Sequence, residues 1–175
     1  MDSHSVFLAD AAATAALGQA LAQRWLALPA DQRPILLLNG DLGAGKTSLV
    51  QGIAAALGIT EPVTSPSFAL AQHYRGSSRD AAASSGGADH SAASVATALV
   101  HLDLYRLEQP AAADELFAQE EEEALAEGAL LAVEWPSRLS FVPEGAWQLD
   151  LTLADPADPE AGRVAQLRGI DPPLG

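Results

Sequence analysis

At 175 residues and 18.0 kDa, the chain has the size of one domain around a single core. A composition 49% hydrophobic and 18% charged predicts a folded globular body rather than a disordered one. Nine Lys and Arg against 23 Asp and Glu give a net charge of −14, which disfavours unaided binding to nucleic-acid phosphates but leaves room for a local phosphate site built from backbone N–H groups. Cysteine is absent, so disulfides, thiolate metal sites and cysteine nucleophiles are excluded. The first residues lack the basic and apolar regions of a secretory leader, and no apolar run approaches the ~20 residues that span a bilayer. The expectation is a soluble, cytoplasmic protein with no membrane partner.

In chain order, Ser5–Leu8 reads as a short strand, and Asp10 as the N-cap of an Ala-rich helix. Leu17, Leu21 and Trp25 recur at helical spacing, which carries that helix to about Leu28 and ends it at Pro29. Pro34–Asn39 is an apolar run of the kind buried on both faces in a parallel sheet. A glycine-rich loop follows, then a helix over Ser48–Leu57 that stops at Gly58. Phe68–Arg75 and Ala98–Leu104 read as strands. Residues 76–98 between them, rich in Ser, Ala and Gly, read as a flexible insertion in an otherwise single domain spanning 1–175. Ala111–Glu127 is helical in pattern, Ala129–Glu134 is another buried strand, and Trp147–Leu153 and Arg163–Ile170 are C-terminal strands. This order predicts a mostly parallel sheet flanked by helices, with antiparallel strands added at the C-terminal end.

Gly40–Thr47, GDLGAGKT, satisfies the phosphate-loop pattern G-x-x-x-x-G-K-[ST] at every fixed position. Glycines at 40, 43 and 45 permit turns closed to other residues and a close approach to phosphate. The N–H groups of Asp41, Leu42, Gly43, Ala44, Gly45, Lys46, Thr47 and Ser48 then form an anion cradle at a helix N-terminus. Lys46, the one lysine in the chain, would reach the outer phosphates, and the Thr47 hydroxyl would complete Mg²⁺ coordination. An apolar strand enters the loop and a helix leaves it, as this chemistry requires. The alternative, a chance match, arises in roughly one such chain in a thousand.

A phosphate loop needs acids for the metal and the attacking water. Asp103, in VHLDLYR, and Glu134, in LLAVEWP, stand at or near strand ends, where α/β sheets build their sites. As alternatives, either acid is an ordinary loop carboxylate, and Asp103 an ion-pair partner of Arg106. Thr64–Phe68, TSPSF, offers hydroxyls to a γ-phosphate sensor, although a Pro-containing turn explains it as well. His101 reads as a packing or hydrogen-bonding residue, since no second His or Cys stands at metal spacing. Trp135 either stacks near the nucleotide or caps the sheet. Glu120–Glu123 fit a solvated helix face, yet Glu108–Glu127 holds eight acids and no Lys or Arg, a candidate docking face for a basic partner.

Taken together, GDLGAGKTS, TSPSF, HLDLYRL and VEWPSRL, in this order over Gly40–Arg138, resemble the TsaE (YjeE) family of small P-loop ATPases. The resemblance implies a P-loop NTPase-like fold and a role in forming N6-threonylcarbamoyladenosine in tRNAs that read codons beginning with A. It implies ATP and Mg²⁺ as cofactors and a weak ATPase stimulated at an assembly of TsaB and TsaD, with tRNA met only indirectly. It assigns Lys46 and Thr47 to phosphate and metal, Glu134 to the Walker B acid holding Mg²⁺, Asp103 to a further acid orienting water, and Trp135 to a mobile aromatic beside the nucleotide. Ser67 stands where relatives often have Thr, and Ser137 where they often have Glu or Gln, so the latter position carries no role over.

Two rivals come from other classes. A small P-loop metabolite kinase would need lid arginines, and the insertion holds only Arg79. A nucleotide-dependent binding module with incidental hydrolysis would tolerate loss of the hydrolytic acid.

Overall fold

A computed structural model of the protein describes residues 3–66, 69–79, 94–171 and 174. Its elements are β1 (Ser3–Leu8), α1 (Ala11–Ala27), β2 (Leu36–Asn39), α2 (Lys46–Ala56), β3 (Ala71–Arg79), β4 (Ser94–Asp103), α3 (Pro110–Glu127), β5 (Leu130–Glu134), β6 (Trp147–Asp155) and β7 (Asp158–Arg168), with single 3₁₀ turns at Ala30–Gln32 and Pro136–Arg138. The strands form one seven-stranded sheet in the order β1-β7-β6-β2-β5-β4-β3.

The expected parallel sheet is its centre: β6, β2, β5 and β4 all run parallel. Antiparallel pairings flank it on both sides: β3 beyond β4, and β7 beyond β6, with β1 pairing antiparallel to β7 and so running with the centre. Of the C-terminal strands β7 alone is antiparallel to the centre, because β6 returns from α3 and β5 as a crossover while β6 and β7 are joined by a tight turn. Burial explains the composition of the central strands. Leu36–Leu38 and Leu130–Val133 are buried throughout, covered by α1 and α2 on one face and α3 on the other.

Successive side chains alternate between those two faces. Leu36, Leu38, Leu99, Leu130 and Ala132 join the core under α1 and α2. Leu37, Val100, Leu102, Leu131 and Val133 join the core under α3 with Phe117 and Leu139. The two helices of the first layer approach closely. A Cβ added at Gly52 would stand 2.0 Å from the Ala15 carbonyl oxygen, and one at Gly18 2.1 Å from that of Leu49. Glycine at both crossing points is therefore what lets α2, and the loop that precedes it, sit down on the sheet.

Helix termini follow the sequence. The Asp10 carboxylate accepts from Ala13 N–H at 2.8 Å, capping α1 as anticipated. Trp25 closes the other end of α1 by donating Nε1–H to the Pro34 carbonyl at 2.9 Å.

Residues 76–79 and 94–98 depart from the expected insertion by lying in strands. Gly76–Arg79 pair with Thr97–Ser94 as the outer part of the β3–β4 ladder, whose backbone bonds need no large side chains. Small residues serve here because the hairpin crosses the end of α2. A Cβ at Gly76 would meet the Leu57 carbonyl at 2.6 Å, and Thr97 donates its hydroxyl to that same oxygen. Residues 80–93 lie outside the described residues. Among the described residues no helix is long and apolar enough to cross a membrane.

Candidate functional site

The alternation that divides the core also assembles the site. In β4, Leu99 lies on the α1–α2 face, so His101 and Asp103 share it. In β5, Leu130 and Ala132 do likewise, so Glu134 joins them. The register aligns Asp103 with Glu134 across adjacent parallel strands. Both acids end their strands at the C-terminal edge of the sheet, where β2 also ends and passes into the glycine loop.

Gly43 and Gly45 take φ of 82° and 104°, and Gly45 is the left-handed N-cap from which α2 departs. No side chain caps that helix, so its first N–H groups are left to an anion. Asp41, Leu42 and Gly43 are exposed at the loop's outer turn, Ala44 is buried beneath it, and Thr47 and Ser48 are partly buried in the first turn of α2.

Lys46 turns inward and is 7% exposed. Its ammonium donates to the Gly40 carbonyl, lies 3.8 Å from Glu134 Oε1 and sits 4.7 Å from the centroid of the Trp135 ring. A charge so buried needs an anionic partner, and Glu134 is one. Glu134 is itself only 4% exposed, and its Oε2 lies 2.7 Å from His101 Nε2. The pair Lys46–Glu134 thus spans the gap between the glycine loop and β5.

Asp103 is held differently. Its carboxylate accepts from Tyr105 N–H at 3.0 Å, an Asx-type turn at the end of β4. Burial pushes its carboxyl above the ordinary value; the Tyr105 N–H works against that rise, the neighbouring negative charge of Glu134 adds to it, and Lys46 opposes it. Trp135 follows Glu134 with φ 56°, a left-handed conformation unusual for a bulky residue. That turn swings the indole over Lys46 and against Tyr105, whose ring centroid is 4.8 Å away.

The structure therefore brings together Lys46, Asp103, Glu134 and Trp135, which lie up to 89 positions apart in sequence. It leaves Thr64 and Ser65 exposed beyond a buried Val63, tied to α2 by Gln51 Nε2 donating to the Val63 carbonyl at 3.1 Å. Ser67 and Phe68 of that segment lie outside the described residues. Glu120 corrects the solvated-face expectation: it is buried and bonds His73 Nε2 at 2.8 Å.

One contributor has no signal in the sequence. Arg163, in β7, donates Nε–H to the Ala44 carbonyl and Nη2–H to the Gly43 carbonyl, both at 3.1 Å. Its Nη1 donates to the Pro159 and Gly162 carbonyls in the first half of β7. Arg163 staples the glycine loop from outside, 119 residues on, and no local pattern announces such a contact. Beside it lies a cavity of about 300 Å³ lined by Asp10, Thr14, Gly45, Ser48, Glu160 and Arg163.

Hard oxygen donors suit Mg²⁺, and the residues here fit it. Glu134 presents a buried carboxylate beside Lys46 and His101, and the Thr47 hydroxyl stands at the start of α2. The chain has no cysteine, and among the described residues no histidine pair stands at this edge to compete for a softer metal.

The family model described as threonylcarbamoyl adenosine biosynthesis protein TsaE matches residues 8–161. A Synechocystis protein named tRNA threonylcarbamoyladenosine biosynthesis protein TsaE is 41% identical over 145 residues, 81% of this chain and 76% of its own length. A Nostoc protein of the same name is 35% identical over 163 residues, 93% of this chain and 83% of that one. The crystal structure of Bacillus subtilis YdiB superposes with a TM-score of 0.57 over 95% of this chain and 84% of its own, at 24% identity, and so shares the fold. With its glycine loop, its paired strand-end acids and a family match across most of its length, the chain belongs to the TsaE family.

Proposed function

We propose that this chain binds ATP with Mg²⁺ and hydrolyses it slowly, in support of N6-threonylcarbamoyladenosine formation on tRNA, acting with TsaB and TsaD. The observation that carries the reading is the buried Lys46–Glu134 pair between the glycine loop and the end of β5, because such a pair is costly unless a phosphate or metal takes up its charges. The names of the relatives supply the pathway.

In this reading the backbone N–H groups of residues 41–48 hold the phosphates, and Lys46 moves from Gly40 onto the outer phosphates. Thr47 and Glu134 hold the Mg²⁺. When bound, that ion neutralises phosphate charge. Asp103, half-buried beside Glu134, orients the attacking water. The nucleoside end occupies the cavity between α1 and Arg163, which opens on the first turn of α2. Trp135 closes over Lys46 and moves when phosphate arrives.

The experiment measures ATP turnover by the isolated chain and with TsaB and TsaD, alongside tRNA modification in a deletion strain. Slow turnover alone, stimulation by the partners and loss of modification are expected. Absence of stimulation together with intact modification after deletion overturns the reading.

A further inference from the structure

His101 has no exposed surface, yet it lies in a site otherwise built for phosphate and metal. Its Nε2 is 2.7 Å from Glu134 Oε2, and its Nδ1 has no hydrogen-bond partner among the described residues. A carboxylate oxygen accepts, so in this contact the imidazole Nε2–H is the donor. A ring used merely to fill space would not need an imidazole here, since Leu99 and Ala132 around it are apolar.

From this contact we infer that His101 is a positioning residue for the metal-holding carboxylate of Glu134. Its Nε2–H fixes Oε2 and so directs Oε1 toward Lys46, on the side where the phosphates and Mg²⁺ meet the loop. The contact is made across two neighbouring parallel strands, whose register places Asp103 opposite Glu134 and His101 two residues earlier on the same face. It is therefore as rigid as the sheet itself. A carboxylate ending a strand has rotational freedom, and a buried donor on one oxygen removes it before the metal arrives.

The inference rests on Glu134 being a metal ligand, and the test separates the two. His101→Gln keeps an N–H donor within reach of Glu134, whereas the shorter amide of His101→Asn cannot reach it. Each variant, the parent and Glu134→Gln are titrated with Mn²⁺ in the presence of ADP and followed by electron paramagnetic resonance. ADP affinity without metal and the thermal midpoint are measured in parallel. We expect His101→Asn to weaken Mn²⁺ binding roughly 10–100-fold, with metal-free ADP affinity within about threefold of the parent, and His101→Gln to recover most of the loss. Unchanged Mn²⁺ affinity in His101→Asn, while Glu134→Gln loses it, overturns the role of His101 alone. Equal losses in both histidine variants, in step with lower thermal midpoints and weaker metal-free binding, reduce His101 to packing and overturn it too. Unchanged Mn²⁺ affinity in Glu134→Gln overturns the underlying assignment of the metal ligand.

Discussion

Lys46 is both the sole lysine of the chain and a buried charge, and the two facts have one consequence. No neighbouring ammonium is available to replace it, so Lys46→Ala removes the phosphate's only mobile cation. ATP turnover measured with partners present is expected to fall roughly 10²–10³-fold. Glu134→Gln should behave differently, retaining nucleotide binding, read by equilibrium fluorescence, while losing hydrolysis. Repeated tRNA modification by that variant would instead favour a binding module. Asp103 makes a pH statement. A carboxyl whose value is raised by burial takes up a proton more readily in the folded state, so its ionisation costs stability as pH rises through the raised value. Asp103→Asn, whose carbonyl still accepts from Tyr105, should therefore melt at or above the parent's midpoint at pH 7. That advantage should fade as pH falls below the ordinary carboxylate range, where Asp103 is protonated folded or unfolded. Melting curves from pH 3 to 8 check the sign, and a parent that melts well above the variant at pH 7 contradicts it.

At the scale of elements, the glycine loop depends on parts distant in sequence. Helix α2 is seated against α1 through Gly18 and Gly52, where no Cβ fits. Gly52→Ala forces the helices apart and should cost about 1–3 kcal/mol; at ~2–4 °C of midpoint per kcal/mol for this size, calorimetry resolves it readily. Strand β7 braces the loop from the other side through Arg163. Arg163→Ala should weaken nucleotide binding more than it lowers the melting point, because it frees loop carbonyls at the surface and leaves the sheet intact. Arg163→Lys, with one compact ammonium in place of a planar fork, should recover only part of the affinity. Isothermal titration with ADP, set beside the melts, separates the brace from a general loss of stability.

For the whole molecule, a net charge of −14 coexists with a phosphate site because the two belong to different length scales. In the proposed reading the loop would hold phosphate by N–H dipoles and one ammonium within a few ångströms, while the surface as a whole repels a polyanion. The isolated chain should give no tRNA retardation at physiological salt, and a tRNA complex should form only with the partner assembly; tight binding of tRNA by the chain alone would contradict this. Part of the acidic stretch on α3 is spent internally, since Glu120 and Glu127 reach His73 and Arg75 on β3. Glu123 also lies 3.6 Å from His73, while Glu115 and Glu122 remain exposed.

The glycine loop, the strand before it and the helix after it were legible in the sequence because each is specified by neighbours within a dozen residues: apolar run, glycines, lysine, helix. The strand-end acids Asp103 and Glu134 were legible too, since a carboxylate closing an apolar run is conspicuous. Family resemblance, carried by four short blocks, extended that local reading to a pathway. Other features were decided only by folding. Strand direction at the edges, the pairing of Gly76–Arg79 with Ser94–Thr97, the bond from His101 to Glu134 and the staple from Arg163 to Gly43 and Ala44 all join residues that the chain keeps apart. Backbone ladders hide from composition because their bonds use no side chain. Long-range polar contacts hide because one histidine or arginine looks like any other until a sheet register sets its direction. Sequence alone determined which chemistry the chain carries; tertiary structure decided which groups hold that chemistry in place, because holding is a property of distances between elements.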